Sequence, residues 1–206
     1  MPGLTRSPVL VARRAELAAA RQLVGAVSRG RGSTLLVTGE AGIGKSRLVA
    51  EVAALVTGAG LTVLTGHAVP GGGTYRAVAE TLAGPLREHP LLLDSPRLRP
   101  YWPALRRLIP AWDGADAEPG PDAGLDRAVV LGEGMLALLS ELHGGVGCLL
   151  VLEDLHWADA DTLSLVGYLA DALSGAPVLL TLTARDDVRV PGMAQLATHR
   201  GSPRCR

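Results

Sequence analysis

Phenylalanine is absent and aromatic residues make up only 3% of the 206 residues, so the core must be built from leucine, valine and alanine. Cysteine is scarce as well. Cys148 lies in an apolar run and Cys205 near the C-terminus, without CxxC spacing, which argues against a disulfide framework and favours the reducing cytoplasm. No apolar run approaches the ~18 residues needed to span a bilayer, and Val9 to Ala12 is too short for a secretory signal. No membrane association is therefore expected. Lysine plus arginine equals aspartate plus glutamate at 20 each, so no whole-chain field attracts nucleic acid or an anionic surface. HExxH, paired Cys/His sets and GxSxG are all missing, which leaves zinc-peptidase and serine-hydrolase readings without support.

Lysine is the rarest charged residue, and its single copy stands at a chemically demanding place. Gly39-Glu40-Ala41-Gly42-Ile43-Gly44-Lys45-Ser46 fits the phosphate-binding pattern GxxxxGK[ST] at every fixed position. The apolar run Thr34 to Thr38 precedes it. Arg47 to Val56 follows with a helical stripe at 48, 49, 52, 55 and 56, so strand, loop and helix come in the required order. Glycines let successive N–H groups turn toward phosphate oxygens, and the helix N-terminus adds partial positive charge. Lys45 supplies a mobile charge for the β- and γ-phosphates, and the Ser46 hydroxyl is suited to ligate Mg²⁺. A nucleotide site is expected.

Along the rest of the chain, residues 1–8 form a loose lead-in. A helical pattern follows, with Leu17, Ala20, Val24 and Val27 on one side, ended by Gly30 to Ser33. Leu61 to Thr65 is a second expected strand, and Tyr75 to Leu86 a helix that Pro85 should end or kink. Between Pro90 and Gly124, seven prolines leave room for a short helical piece near Trp102 to Leu108 and an exposed loop from Asp113 to Gly124. Arg97, Arg99, Arg106 and Arg107 form a local basic cluster, read as a solvated face in preference to a nucleic-acid patch. Leu125 to Leu142 is apolar on more than one side, as for a helix packed on a sheet.

Cys148-Leu149-Leu150-Val151-Leu152-Glu153-Asp154 is a continuous apolar run ending in two acids, the pattern of a buried parallel strand whose carboxyl end reaches a site. Glu153 and Asp154 stand where a Mg²⁺-linked carboxylate and a water-polarising base are needed. Asp159 is the expected N-cap of the next helix, with Leu163, Val166, Ala170 and Leu173 as its buried stripe; His156 reads as an ordinary loop histidine. Pro177 to Thr183 is a further buried strand. Arg185, just after it, is placed either to sense the γ-phosphate or to pair with Asp186 or Asp187. Beyond Val190 the pattern fades, His199 to Arg206 is basic and aperiodic, and residues 191–206 are expected to be disordered.

GEAGIGKS, CLLVLEDLHWAD and PVLLTLTARDD, in this order, resemble the P-loop ATPases of the signal-transduction (STAND) class, with a close match to the origin-recognition-complex-like AAA module of large ATP-binding LuxR-type regulators. The resemblance covers residues 9–190. It implies a P-loop NTPase α/β three-layer sandwich of the ASCE type, with a parallel sheet in the order 2-3-4-1. It further implies ATP and Mg²⁺ as cofactors, Walker A at Gly39, Glu40, Ala41, Gly42, Ile43, Gly44, Lys45 and Ser46, Walker B at Glu153 and Asp154, and sensor 1 at Arg185. Metal ligation falls to Ser46, Glu153 and Asp154. Arg13 takes the place of the arginine in the family's N-terminal hhGR motif, on the adenine side, with Ala12 where glycine is usual. Family members continue into a fifth strand, a helical lid and further domains, which this chain is expected to lack as a truncated piece.

The function so implied is nucleotide-dependent switching with slow ATP hydrolysis in signalling or transcriptional control, with a protein partner or self-association and no direct nucleic-acid contact. Binding without hydrolysis stays open as the alternative. A transporter reading of Leu173-Ser174-Gly175 fails because the following Gly-Gln is missing and the triplet comes after the acidic strand.

Overall fold

A computed structural model describes residues 14–109, 127–186 and 204–205. Helix α1, Arg14–Val27, leads into strand β1, Ser33–Thr38, and the glycine loop feeds α2, Lys45–Gly58. Next come β2, Thr62–His67, α3, Arg76–Glu88, and the short α4, Trp102–Leu105. The long α5, Arg127–His143, then precedes β3, Cys148–Glu153, α6, Ala160–Ala172, and β4, Val178–Ala184. Residues 1–13, including Arg13, and the expected loop at 113–124 lie outside the described residues.

The strands form a parallel sheet in the order β2-β3-β4-β1-β5, with β4 between β1 and β3 as expected. Strand β5 is Arg204–Cys205, paired beside Leu36 and Val37. The row of backbone donors and acceptors along the outer side of β1 provides the template for this two-residue pairing.

Alternation of side chains divides the core into two layers. Leu35, Val37, Leu149, Val151 and Leu179 face α1 and α2, where they meet Ala20, Val24, Leu48, Val52 and Val56. Leu36, Leu150, Leu152, Leu180 and Leu182 face α3, α5 and α6, packing with Val78, Leu82, Met135, Leu138, Leu165 and Leu169. Both faces of β3 and β4 are covered, and every residue in those strands is buried. That is why they read as unbroken apolar runs. Burial pushes the Cys148 thiol up to about 12, making it a core side chain without thiolate character.

Two local departures have physical causes. Pro85 does not end α3, which runs to Glu88; in the last turn its ring removes a single ladder bond, and the His89 N–H still reaches the Pro85 carbonyl at 2.9 Å. Strand β2 extends to His67, beyond the expected Thr65. Gly66 serves there as a contact point, because a Cβ on it would lie 1.8 Å from the Ala77 carbonyl oxygen, so α3 packs directly on the strand backbone. The basic cluster resolves in part into local pairs. Arg97 bridges to Glu141 at 3.0 Å, and Arg99 sits 5.8 Å above the Trp102 ring.

Thr181 is fully buried in β4, and its hydroxyl has no hydrogen-bond partner among the described residues. Thr181→Val removes that stranded hydroxyl at nearly constant shape and is expected to stabilise the chain by about 1–2 kcal/mol. Urea denaturation measures it; a lower midpoint for the valine variant would contradict this account of the strand.

Candidate functional site

The site is assembled at the carboxyl edge of the sheet, where the loop after β1 meets the end of β3. Gly39, Gly42 and Gly44 have φ of 154°, 79° and 91°, conformations that side chains rarely adopt. At Gly42 and Gly44 an added Cβ would meet nothing within 4 Å, so it is the positive φ and not crowding that calls for glycine there. Gly44 caps α2 without a side-chain hydrogen bond, and the first turn of that helix has no acidic residue. Its leading N–H groups and positive dipole end therefore stay available to an anion.

Lys45 is nearly buried, and its ammonium donates to the Gly39 and Glu40 carbonyls, each at 2.9 Å. The charge is thereby stored at the mouth of the loop. Ser46, one residue on, donates from Oγ to Glu153 Oε2 at 2.7 Å. The contact spans 107 positions of sequence and joins the two motifs directly. A hydroxyl beside a carboxylate is a hard oxygen set, suited to Mg²⁺ completed by water and phosphate oxygens. No group of three His, Cys, Asp or Glu among the described residues forms an all-protein metal cage. The residues present thus fit a nucleotide with Mg²⁺.

The two acids point to different environments. Glu153 is buried at the end of β3 and takes the Ser46 hydrogen bond. Asp154 adopts φ 58° and ψ 38°, a left-handed conformation, and its side chain is 48% exposed. Its N–H donates to Thr183 Oγ1 at 2.9 Å, which offsets part of the strain of that conformation, about 1 kcal/mol or more. Arg185 is half-buried and follows the end of β4, one residue past the rung that pairs Ala184 with Thr38. It therefore occupies the same edge as the phosphate loop. His156 has a buried side chain beside Trp157, with ring centroids 5.0 Å apart.

Behind the acids, Asp159 caps α6 as expected, accepting from the Thr162 N–H at 3.0 Å. Burial works to raise its carboxyl, yet the hydrogen bonds from Thr162 outweigh burial and hold it below the usual range. Thr162 Oγ1 in turn accepts the Tyr75 N–H at 2.9 Å, which ties the loop after β2 to the segment after β3.

Three residues near the site escaped the sequence reading. Thr183 had a signal, a hydroxyl at the end of a fully buried strand that requires a partner. His67 had none, because the expected strand stops at Thr65, although its ring lies 3.7 Å from Glu153. Glu80 looks like an exposed helical acid, yet it holds His67 through both the backbone and the ring.

Comparison with known proteins agrees with this geometry. An uncharacterized protein of Rhizobium meliloti (strain 1021) is 26% identical over 213 residues, covering 85% of this chain and 18% of that relative. The chain thus spans under a fifth of the length of the relative it matches. No helix among the described residues is long and apolar enough to cross a membrane. The family model of the AAA ATPase domain matches residues 9–181. With the phosphate loop and parallel sheet in place, the chain belongs to the AAA ATPase domain family.

Proposed function

We propose that this chain binds ATP with Mg²⁺ through the loop from Gly39 to Ser46, hydrolyses it slowly, and acts as a nucleotide-dependent switch in signalling or transcriptional control. The observation that carries the reading is the 2.7 Å hydrogen bond from Ser46 to Glu153, which brings the phosphate loop and the acidic strand to one point. Ser46 and Glu153 would hold Mg²⁺, and the ion when bound neutralises charge across the β- and γ-phosphates. Lys45 exchanges its two carbonyl partners for phosphate oxygens. Asp154, steered by Thr183, is the acid left to orient water. The resemblance of the motifs assigns Arg185 to the γ-phosphate and Arg13 to the adenine. The role in signalling, with a protein partner or self-association, rests on the resemblance of the motifs to the STAND class.

Slow turnover follows from the setting of Asp154. With 48% of its side chain exposed, Asp154 leaves its carboxylate open to bulk water, which competes with a single positioned molecule. The same observation favours, as the second reading, binding with no hydrolysis at all.

Lys45→Ala removes a charged hydrogen-bond donor worth about 1.5–3 kcal/mol, so Mg·ATP affinity should fall about 10- to 150-fold by titration calorimetry. Unchanged affinity would refute the site. In single-turnover phosphate release, the wild type should be slower than the ~1–100 s⁻¹ of kinases. Asp154→Asn should slow release further with little change in binding, whereas Glu153→Gln should weaken Mg²⁺ dependence. Release that is fast, or indifferent to both substitutions, would remove these acids from the mechanism.

A further inference from the structure

An open cleft lies between the loop that follows β2 and the start of α6, lined by Val69, Gly72, Gly73, Arg76, Trp157 and Asp159. Both of its walls are held. The loop is pinned at one end by the Ala68 N–H, which bonds the Glu153 carbonyl at 2.9 Å, and at the other by the Tyr75 N–H, which donates to Thr162 Oγ1 at 2.9 Å. Tyr75 has φ 59°, a strained conformation for a residue with a side chain, so this hydrogen bond is what keeps the loop in shape. Across the cleft the buried His156 ring backs the Trp157 ring, which leaves that tryptophan 49% exposed.

Gly72 allows the first wall to form. A Cβ there would lie 2.8 Å from both Arg76 Cδ and Val69 Cγ2, so the glycine makes room for the arginine stem and the valine to pack over the loop. The charge left available in the cleft has one sign. Asp159 is spent within the protein, accepting from the Thr162 N–H and hydroxyl and from the Tyr75 N–H. Glu80, one helical turn beyond Arg76, has both carboxylate oxygens on His67. Arg76 is exposed and has no hydrogen bond or ion pair among the described residues. Its guanidinium is therefore open to a carboxylate, beside an apolar rim of Trp157 and Val69.

We propose that this cleft docks a partner protein through a segment that carries an acidic side chain next to an aliphatic one, the carboxylate on Arg76 and the aliphatic group against Trp157 and Val69. The proposal rests on the part of the reading above that gives the chain a protein partner, and it supplies that partner's surface and chemistry. Size favours a protein segment over a free ligand. Even with the solvent in its mouth the cleft holds about 180 Å³, below the ~300–1,000 Å³ of sites that enclose a small molecule. Tryptophan and arginine are also the residue types on which interface energy concentrates. The Trp157 N–H donates to the Asp154 carbonyl at 2.9 Å, so a segment seated on the indole bears on the turn that carries Asp154.

The test selects a random-peptide phage library on the full chain and titrates the enriched peptides, fluorescently labelled, by anisotropy. Enriched sequences should place Asp or Glu next to Leu, Ile or Val. Arg76→Glu and Trp157→Ala should each weaken them ~10-fold or more, while Mg·ATP affinity, read at a separate site, stays within about twofold. Changing the peptide's acid to its amide should weaken binding to the wild type but make no difference to Arg76→Gln, a milder variant that keeps a polar side chain and carries the test if Arg76→Glu disturbs the loop. Peptides enriched without an acid, affinity indifferent to both residues, or no enriched peptide at all overturns the proposal. A wild type that binds Mg·ATP but enriches no such peptide leaves the nucleotide reading standing without this surface; one that enriches them and binds no nucleotide does the reverse.

Discussion

The insertion of β4 between β1 and β3 is the constraint on which the site depends. Two adjacent strands would bring their end residues into one ladder. A strand's width between them instead leaves a gap at the carboxyl edge, of the kind in which open parallel sheets bind ligands. The Gly39–Ser46 loop enters the gap from one side and Glu153 from the other, so that Ser46 and Glu153 meet. The intervening strand also takes part, because Thr183 near its end accepts the Asp154 N–H. Burial of Leu179, Leu180 and Leu182 on the two faces of the sheet holds β4 in this place.

The same arrangement separates two neighbouring acids that look equivalent in sequence. Residues alternate across a strand, and the chain turns sharply after Glu153, so the last strand residue points inward while Asp154 adopts a left-handed conformation. One carboxylate is buried against a hydroxyl and an imidazole; the other remains half in water. Metal binding and water activation thus have different physical settings available to them. This supports the proposal that the chain holds nucleotide more readily than it turns it over.

Much of this was legible in the residues. Strands β3 and β4 announced themselves because both faces are covered, and the phosphate loop did so because its glycines, lysine and serine each answer a geometric or charge requirement. Strand order came from the resemblance of the motifs, since periodicity carries no information about neighbours. What escaped were features created by tertiary contact. The expected strand stopped at Thr65, and so left out His67, because the packing of Ala77 on Gly66 is visible only in the folded chain. Pro85 reads as a helix stop, but it falls where one missing bond is tolerable. The pairing of Arg204–Cys205 with β1 depends on an edge defined by the finished sheet, and no local pattern could have revealed it.

The central claim is that Ser46 and Glu153 jointly hold the divalent ion of a bound nucleotide. A crystal structure of the chain with Mn²⁺ and a non-hydrolysable ATP analogue, phased to locate the metal by anomalous scattering, tests it most directly. The account predicts triphosphate density inside the Gly39–Ser46 loop and a metal peak at ligand distance, ~2.0–2.3 Å, from Ser46 Oγ, with the Glu153 carboxylate on the same ion directly or through one water. Nucleotide bound elsewhere, or a metal held by Asp154 with Glu153 and Ser46 uninvolved, would contradict it.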